Sequence, residues 1–87
     1  MHEFSLVVNL IHKAEAIAQE QNARKVVSLR IRLGAASSIS PGHVRDHFSI
    51  AAAGSLAEGA RLDIEALTEE SDPLAQEIML ESIELEI

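Results

Sequence analysis

The sequence contains no cysteine, tryptophan or tyrosine, and it has only two phenylalanines. Without cysteine there can be no disulfide, no thiolate zinc site and no thiol nucleophile, and the composition fits a reducing, cytoplasmic environment. No apolar run approaches the roughly 18 residues of a membrane span, and the start lacks the pattern of a secretory signal. We therefore expect one small cytoplasmic domain over residues 1–87, with an aliphatic core and no membrane partner.

Positive charge is also scarce. Seven Lys and Arg residues face fourteen Asp and Glu residues, and the formal net charge is −7. Such a surface repels phosphate backbones, and the chain offers no tryptophan or tyrosine on which bases could stack. The composition therefore argues against nucleic acid as a partner.

Apolar residues recurring every three or four positions predict a first helix from residue 3 to about residue 21. Its predicted apolar stripe consists of Phe4, Val7, Leu10, Ile11, Ala14, Ile17 and Ala18. The segment from Gln21 to Arg24 is the predicted exit turn, where Asn22 can adopt the left-handed conformation. A second helix is predicted after the loop AASSIS, because Ser40 suits an N-cap and Pro41 the first helical position. This helix should end near Gly54, with Val44, Phe48, Ala51 and Ala52 on its inner face.

Alternating apolar residues predict three strands. Their inward-facing residues are Val27, Leu29, Ile31 and Leu33 in the first, Leu62, Ile64 and Ala66 in the second, and Ile83, Leu85 and Ile87 in the third. Ile78 and Leu80 have the opposite phase. Either a bulge near Glu81 or Ser82 or a short helical turn within Leu74–Leu80 would reconcile the two halves. The predicted fold is α+β in the order α-β-α-β-β, with two helices on one face of a three-stranded sheet.

Charge predicts the order of the strands. The polar face of the first strand carries Arg30 and Arg32, whereas the other two strands show acids there. A central basic strand places opposite charges across both ladders, while adjacent acidic strands would set like charges against each other. We therefore place the first strand in the middle of the sheet.

Residues capable of catalysis are few. Ser37, Ser38 and Ser40 precede the helix that carries His43 and His47, but no nucleophile-elbow pattern surrounds them. Serines in this position usually cap a helix, and we do not expect an enzyme.

Histidines are the main candidates for binding a metal. His43 and His47 are four positions apart on the second predicted helix, where they could grip a metal together or simply be surface residues. His12 is expected on the solvated side of the first helix. His2 differs because it follows the terminal residue. The terminal amine, the amide nitrogen of His2 and its imidazole can form fused chelate rings, a nitrogen-rich set that suits Ni(II) or Cu(II). Spacing alone still favours an idle terminus.

Several stretches resemble the HypA/HybF family of nickel metallochaperones for [NiFe]-hydrogenase and urease maturation. The opening MHEFSLVVNLI is similar to the family's start and first helix. The stretch from Lys25 to Leu67, which contains AEGA, follows the family's next elements in order. LESIELEI is similar to its terminal strand.

The resemblance implies a nickel metallochaperone that holds Ni(II) through Met1, by its amine, His2 and Glu3. The implied partners are an accessory GTPase of nickel insertion and a hydrogenase large subunit. Because the metal requires neutral imidazole, the affinity is expected to fall as the pH drops through about 6. The alternative is an interaction module of the same fold that binds no metal and docks on hydrogenase accessory proteins or on its own copies.

Two departures from the family pattern stand out. The family inserts a zinc domain with two CxxC pairs between the second and third strands, where this chain has only Thr68–Glu77 and no cysteine. We therefore expect no bound zinc, a short loop over residues 68–77, and a shortened hinge that could favour a homodimer by strand swapping. Some family members also offer a carboxylate before the second helix, where this chain has Ser38 and Ser40.

Overall fold

A computed structural model of the chain describes residues 3–34, 40–67 and 78–87. The elements are α1 (Glu3–Glu20), β1 (Lys25–Leu33), α2 (Pro41–Ala51), β2 (Arg61–Ala66) and β3 (Ile78–Glu86). This order and the mixed sheet confirm the predicted α+β fold. In the described part of the chain, neither helix is long and apolar enough to cross a membrane. The predicted loops at AASSIS and Thr68–Glu77 lie almost wholly outside the described residues.

Helix α1 buries the stripe that its periodicity predicts, except at the stripe's two edges. The buried positions are Val7, Leu10, Ile11, Ala14 and Ala18. Ile17 is half-buried, and Phe4 is 40% exposed. The predicted exit turn is confirmed, because Asn22 has a φ of 55° and the amide of Ala23 donates to the carbonyl of Ala18 at 2.8 Å.

The sheet has the order β2-β1-β3, with β1 parallel to β2 and antiparallel to β3. The basic strand is therefore central, as its charges predict. The distances from Nε to the paired carboxylate oxygen are 2.9 Å for Arg30–Glu81 and 3.3 Å for Arg32–Glu65. Glu81 also pairs with Arg32, and its hydrogen bond raises the pKa of that guanidinium. Glu84 pairs with neither arginine of β1; its Oε1 lies 3.7 Å from Nη2 of Arg61 on β2.

The inward face of β1 begins one residue earlier than alternation predicts. Val26 is fully buried, whereas Val27 is 41% exposed, so the prediction that Val27 faces the core is wrong. The pairing with β3 shifts register between Val26 and Ser28, which leaves Val27 as the extra residue of a bulge. Ser28 then lies on the polar face, where its hydroxyl donates to Oε1 of Glu84 at 2.5 Å.

The predicted bulge in β3 is confirmed. Arg30 pairs with Ser82 and Ile31 with Leu80, so Glu81 is the extra residue. The bulge lets Ile78, Leu80, Ile83 and Leu85 pack against the core, whereas the prediction that Ile87 faces inward is wrong, because Ile87 is 76% exposed. It also places Glu81 against the two arginines of β1. The alternative of a helical turn is wrong for Ile78–Leu80, which are strand residues; the rest of that segment lies outside the described residues.

Helix α2 starts as its sequence predicts. The Ser40 side chain caps the helix by accepting the amide hydrogen of His43 at 3.2 Å, and Pro41 occupies the first turn. Val44, Phe48 and Ala52 are buried. The chain leaves the helix through Gly54, whose φ of +79° favours glycine. Both helices share one hydrophobic core with the inner face of the sheet.

Candidate metal centre

The predicted nickel ligands stand at the beginning of α1. Glu3 is the first residue of that helix. Met1 and His2 lie outside the described residues, as does the side chain of Glu3. The arrangement of these three ligands therefore stays a prediction. The structure describes the residues that surround the beginning of α1.

An aromatic contact fixes those surroundings. The Phe4 ring meets the His47 ring edge-on, with centroids 5.4 Å apart and planes at 73°. This is the T-shaped arrangement that aromatic pairs prefer. It explains why Phe4 stays partly exposed, because the ring contacts α2 at the rim of the core instead of entering it. The beginning of α1 therefore lies against the histidine-bearing face of α2.

His43 and His47 share that face, as their spacing predicts. Their ring centroids are 6.4 Å apart and their planes differ by 14°. His43 is exposed, whereas His47 is half-buried. The structure thus brings the two imidazoles together and adds the first turn of α1 beside them.

The environment of His47 is incomplete. Its Nδ1 atom is buried and has no hydrogen-bond partner among the described residues. Leaving a buried polar atom unpaired costs about 1–3 kcal/mol, so such atoms in native proteins normally have a partner. In the tautomer with the proton on Nε2, such a nitrogen can accept a hydrogen bond or bind a metal ion.

His12 occupies a different place. It is exposed, as predicted, and it helps to line a shallow pocket of about 250 Å³ beside Ala51 and Gly54 at the far end of α2. His12 follows Phe4 by eight positions, which corresponds to roughly 12 Å along the helix axis. His12 therefore stands apart from the other two imidazoles.

A serine nucleophile finds no support. The hydroxyl of Ser40 is engaged as the cap of α2, and Ser37 and Ser38 lie outside the described residues.

Within residues 3–34, 40–67 and 78–87 there is no cluster of three or more His, Cys, Asp or Glu side chains that could hold a metal ion. A metal centre at His43 and His47 therefore needs donors from outside the described side chains. The first three residues of the chain directly precede Phe4, which contacts His47.

Sequence reasoning missed the contact between Phe4 and His47. It assigned Phe4 to the core because the residue continues the apolar stripe of α1. An aromatic residue at the edge of a stripe, where it can contact another helix, was the available signal, but periodicity cannot identify the partner.

The fold and the two imidazoles of α2 define a small α+β domain whose first helix begins beside a pair of histidines. Residues 1–72 match the family model described as hydrogenase/urease nickel incorporation, metallochaperone, hypA. The chain belongs to this family. The family is one of metallochaperones, in keeping with the expectation that the chain is not an enzyme.

Curated relatives agree with this membership. The chain is 39% identical over 64 residues to the hydrogenase maturation factor HypA of Archaeoglobus fulgidus, covering 74% of this chain and 58% of the relative. It is 40% identical over 67 residues to the factor of the same name from Picosynechococcus, covering 77% and 59%. The matches thus span less than two thirds of these relatives.

A solved structure shares the fold. The solution structure of the Ni metallochaperone HypA from Helicobacter pylori superimposes with a TM-score of 0.84 at 22% identity, covering 99% of this chain and 98% of that chain. At this level of identity the likeness concerns the fold alone.

Proposed function

We propose that this protein binds Ni(II) at its N-terminus and delivers the ion during [NiFe]-hydrogenase maturation. The ligands are Met1, through its amine, together with His2 and Glu3. The observation that carries the proposal is the family match, which includes residue 1 and therefore the MHE start. Nickel is the cargo of this protein, and the cysteine-free sequence offers no thiolate for a zinc site.

The donor set suits the ion. Amine, amide and imidazole nitrogens favour Ni(II) in square-planar or tetragonal geometry. The start of α1 adds a structural reason. The first amides of a helix have no acceptor within the helix, so the amide of Glu3 is not required for helical hydrogen bonding. A metal can use nitrogens at this end without breaking the helix.

The test compares the natural start with an extended one. Calorimetry of Ni(II) binding should give one ion per chain for the protein with Met1 at its terminus. One residue added before Met1, or His2→Ala, should weaken binding by at least about tenfold, since each change removes or displaces a donor. Equal affinities for all three proteins would contradict the proposal. His12→Ala is the matched control, because it removes an exposed imidazole elsewhere on α1.

The proposed partners are an accessory GTPase of nickel insertion and a hydrogenase large subunit. The alternative function is an adaptor that docks on accessory proteins without metal. The outer strands β2 and β3 of the described sheet have edges of the kind that can pair with another chain, including a second copy. Affinity for the GTPase that is unaffected by nickel and by His2→Ala would favour the adaptor, and light scattering would detect a homodimer.

A further inference from the structure

The imidazole pair on α2 offers nitrogen donors on one face of the helix. Histidines four positions apart on a helix lie on one face, and imidazole is a good ligand for nickel. The rings of His43 and His47 are nearly parallel, with centroids 6.4 Å apart. Metal–nitrogen bonds are about 2.0–2.1 Å for imidazole on zinc, a similar divalent ion, so small side-chain rotations bring a nitrogen of each ring within reach of one ion.

One nitrogen of this pair, Nδ1 of His47, is buried without a partner among the described residues. His47 also differs from its neighbour, because the Phe4 ring packs against it and restrains its orientation. A restrained imidazole with one unpaired nitrogen resembles a preorganised ligand more than an ordinary surface histidine.

The start of the chain is close in sequence to this pair's contact with α1. Three residues precede Phe4, and three residues span at most roughly 11 Å when fully extended. Since the Phe4 ring touches His47, a chain of this length allows the donors of Met1, His2 and Glu3 to reach the α2 face. A planar nitrogen set at the chain start leaves the positions above and below the ion open to further ligands.

We propose that His47, with His43 beside it, binds the same Ni(II) ion as the first three residues, so that the nickel site bridges the start of α1 and the face of α2. This inference rests on the function proposed above. It makes the site a joint product of both helices, and the ion then links two elements that otherwise meet here through the Phe4 ring.

The test is Ni(II) calorimetry on the full chain with His47→Gln, His43→Ala and the control His12→Ala. His47→Gln should weaken binding by about tenfold or more, and His43→Ala should weaken it in the same direction. The control should bind like the natural protein, and every variant should still bind one ion. Thermal unfolding of each variant confirms that it is folded before its affinity is interpreted.

A second measurement does not depend on substitution at His47. In the natural protein, the imidazole NMR signals of His47 and His43 should shift or broaden as Ni(II) is added, while those of His12 should not. The same signals should respond much less in His2→Ala, because both sets of ligands hold one ion.

The outcomes separate the two proposals. If His2→Ala weakens binding while His47→Gln and His43→Ala do not, the joint site is refuted and the terminal site stands. If the natural protein binds two ions and the α2 variants lose one, the pair is an independent site and the inference also fails. If neither His2→Ala nor the added residue changes affinity, the proposed function itself fails.

Discussion

Replacing Phe4 with alanine tests whether its contact with His47 holds the start of α1 in place. Truncating a fully buried phenylalanine to alanine costs about 3–5 kcal/mol. Phe4 is 40% exposed, so about three fifths of that cost applies, and the exposed rim can relax further. We therefore expect the free energy of unfolding to fall by about 2 kcal/mol, of which the edge-to-face ring contact contributes roughly 0.5–1.5.

Urea unfolding followed by far-ultraviolet circular dichroism is the suitable assay, because the chain has no tryptophan or tyrosine for fluorescence. For a domain of this size, the expected loss corresponds to a fall in melting temperature of roughly 10 °C. Ile50→Ala is the matched control, since Ile50 is a large apolar residue of α2 that is 67% exposed. The control should change stability by less than about 0.5 kcal/mol. A Phe4→Ala variant as stable as this control would refute the reasoning.

The same variant also bears on nickel. Phe4→Ala removes no metal donor, yet it releases the restraint that keeps the chain start beside His47. We expect its affinity for Ni(II) to fall, because the ordering of the two halves of the site must then accompany binding. Unchanged affinity together with reduced stability would mean that the contact serves packing alone.

The sheet was largely predictable because two independent signals agreed. Arg30 and Arg32 placed the basic strand in the centre, and the clash of apolar phases placed a bulge at Glu81 or Ser82. The structure unites these signals, since Glu81 bulges toward the two arginines. The bulge in β1 was missed because Val26 and Val27 are both apolar, and alternation cannot choose between adjacent valines.

The surroundings of the candidate site were less predictable. Spacing placed His43 and His47 on one face, and the structure confirms this. The spacing of residues could not show that α1 begins against that face, because the contact joins residues distant in sequence. The packing of two helices depends on how their side chains interlock across the interface, and a single sequence does not encode that in any short pattern.

Two further substitutions probe the core and the start of α2. Leu29 is fully buried in the central strand, so Leu29→Ala should cost about 3–4 kcal/mol in urea unfolding. Val27→Ala on the same strand should cost less than about 1 kcal/mol, because Val27 is 41% exposed at the bulge; equal costs would contradict the bulge. Ser40→Ala should cost about 1 kcal/mol, because the amide of His43 loses its side-chain acceptor. Ser40→Asp should retain most of that stability, since its carboxylate can also cap the helix and interacts favourably with the helix dipole. If Ser40→Asp were as destabilised as Ser40→Ala, the serine would act through some contact other than the cap.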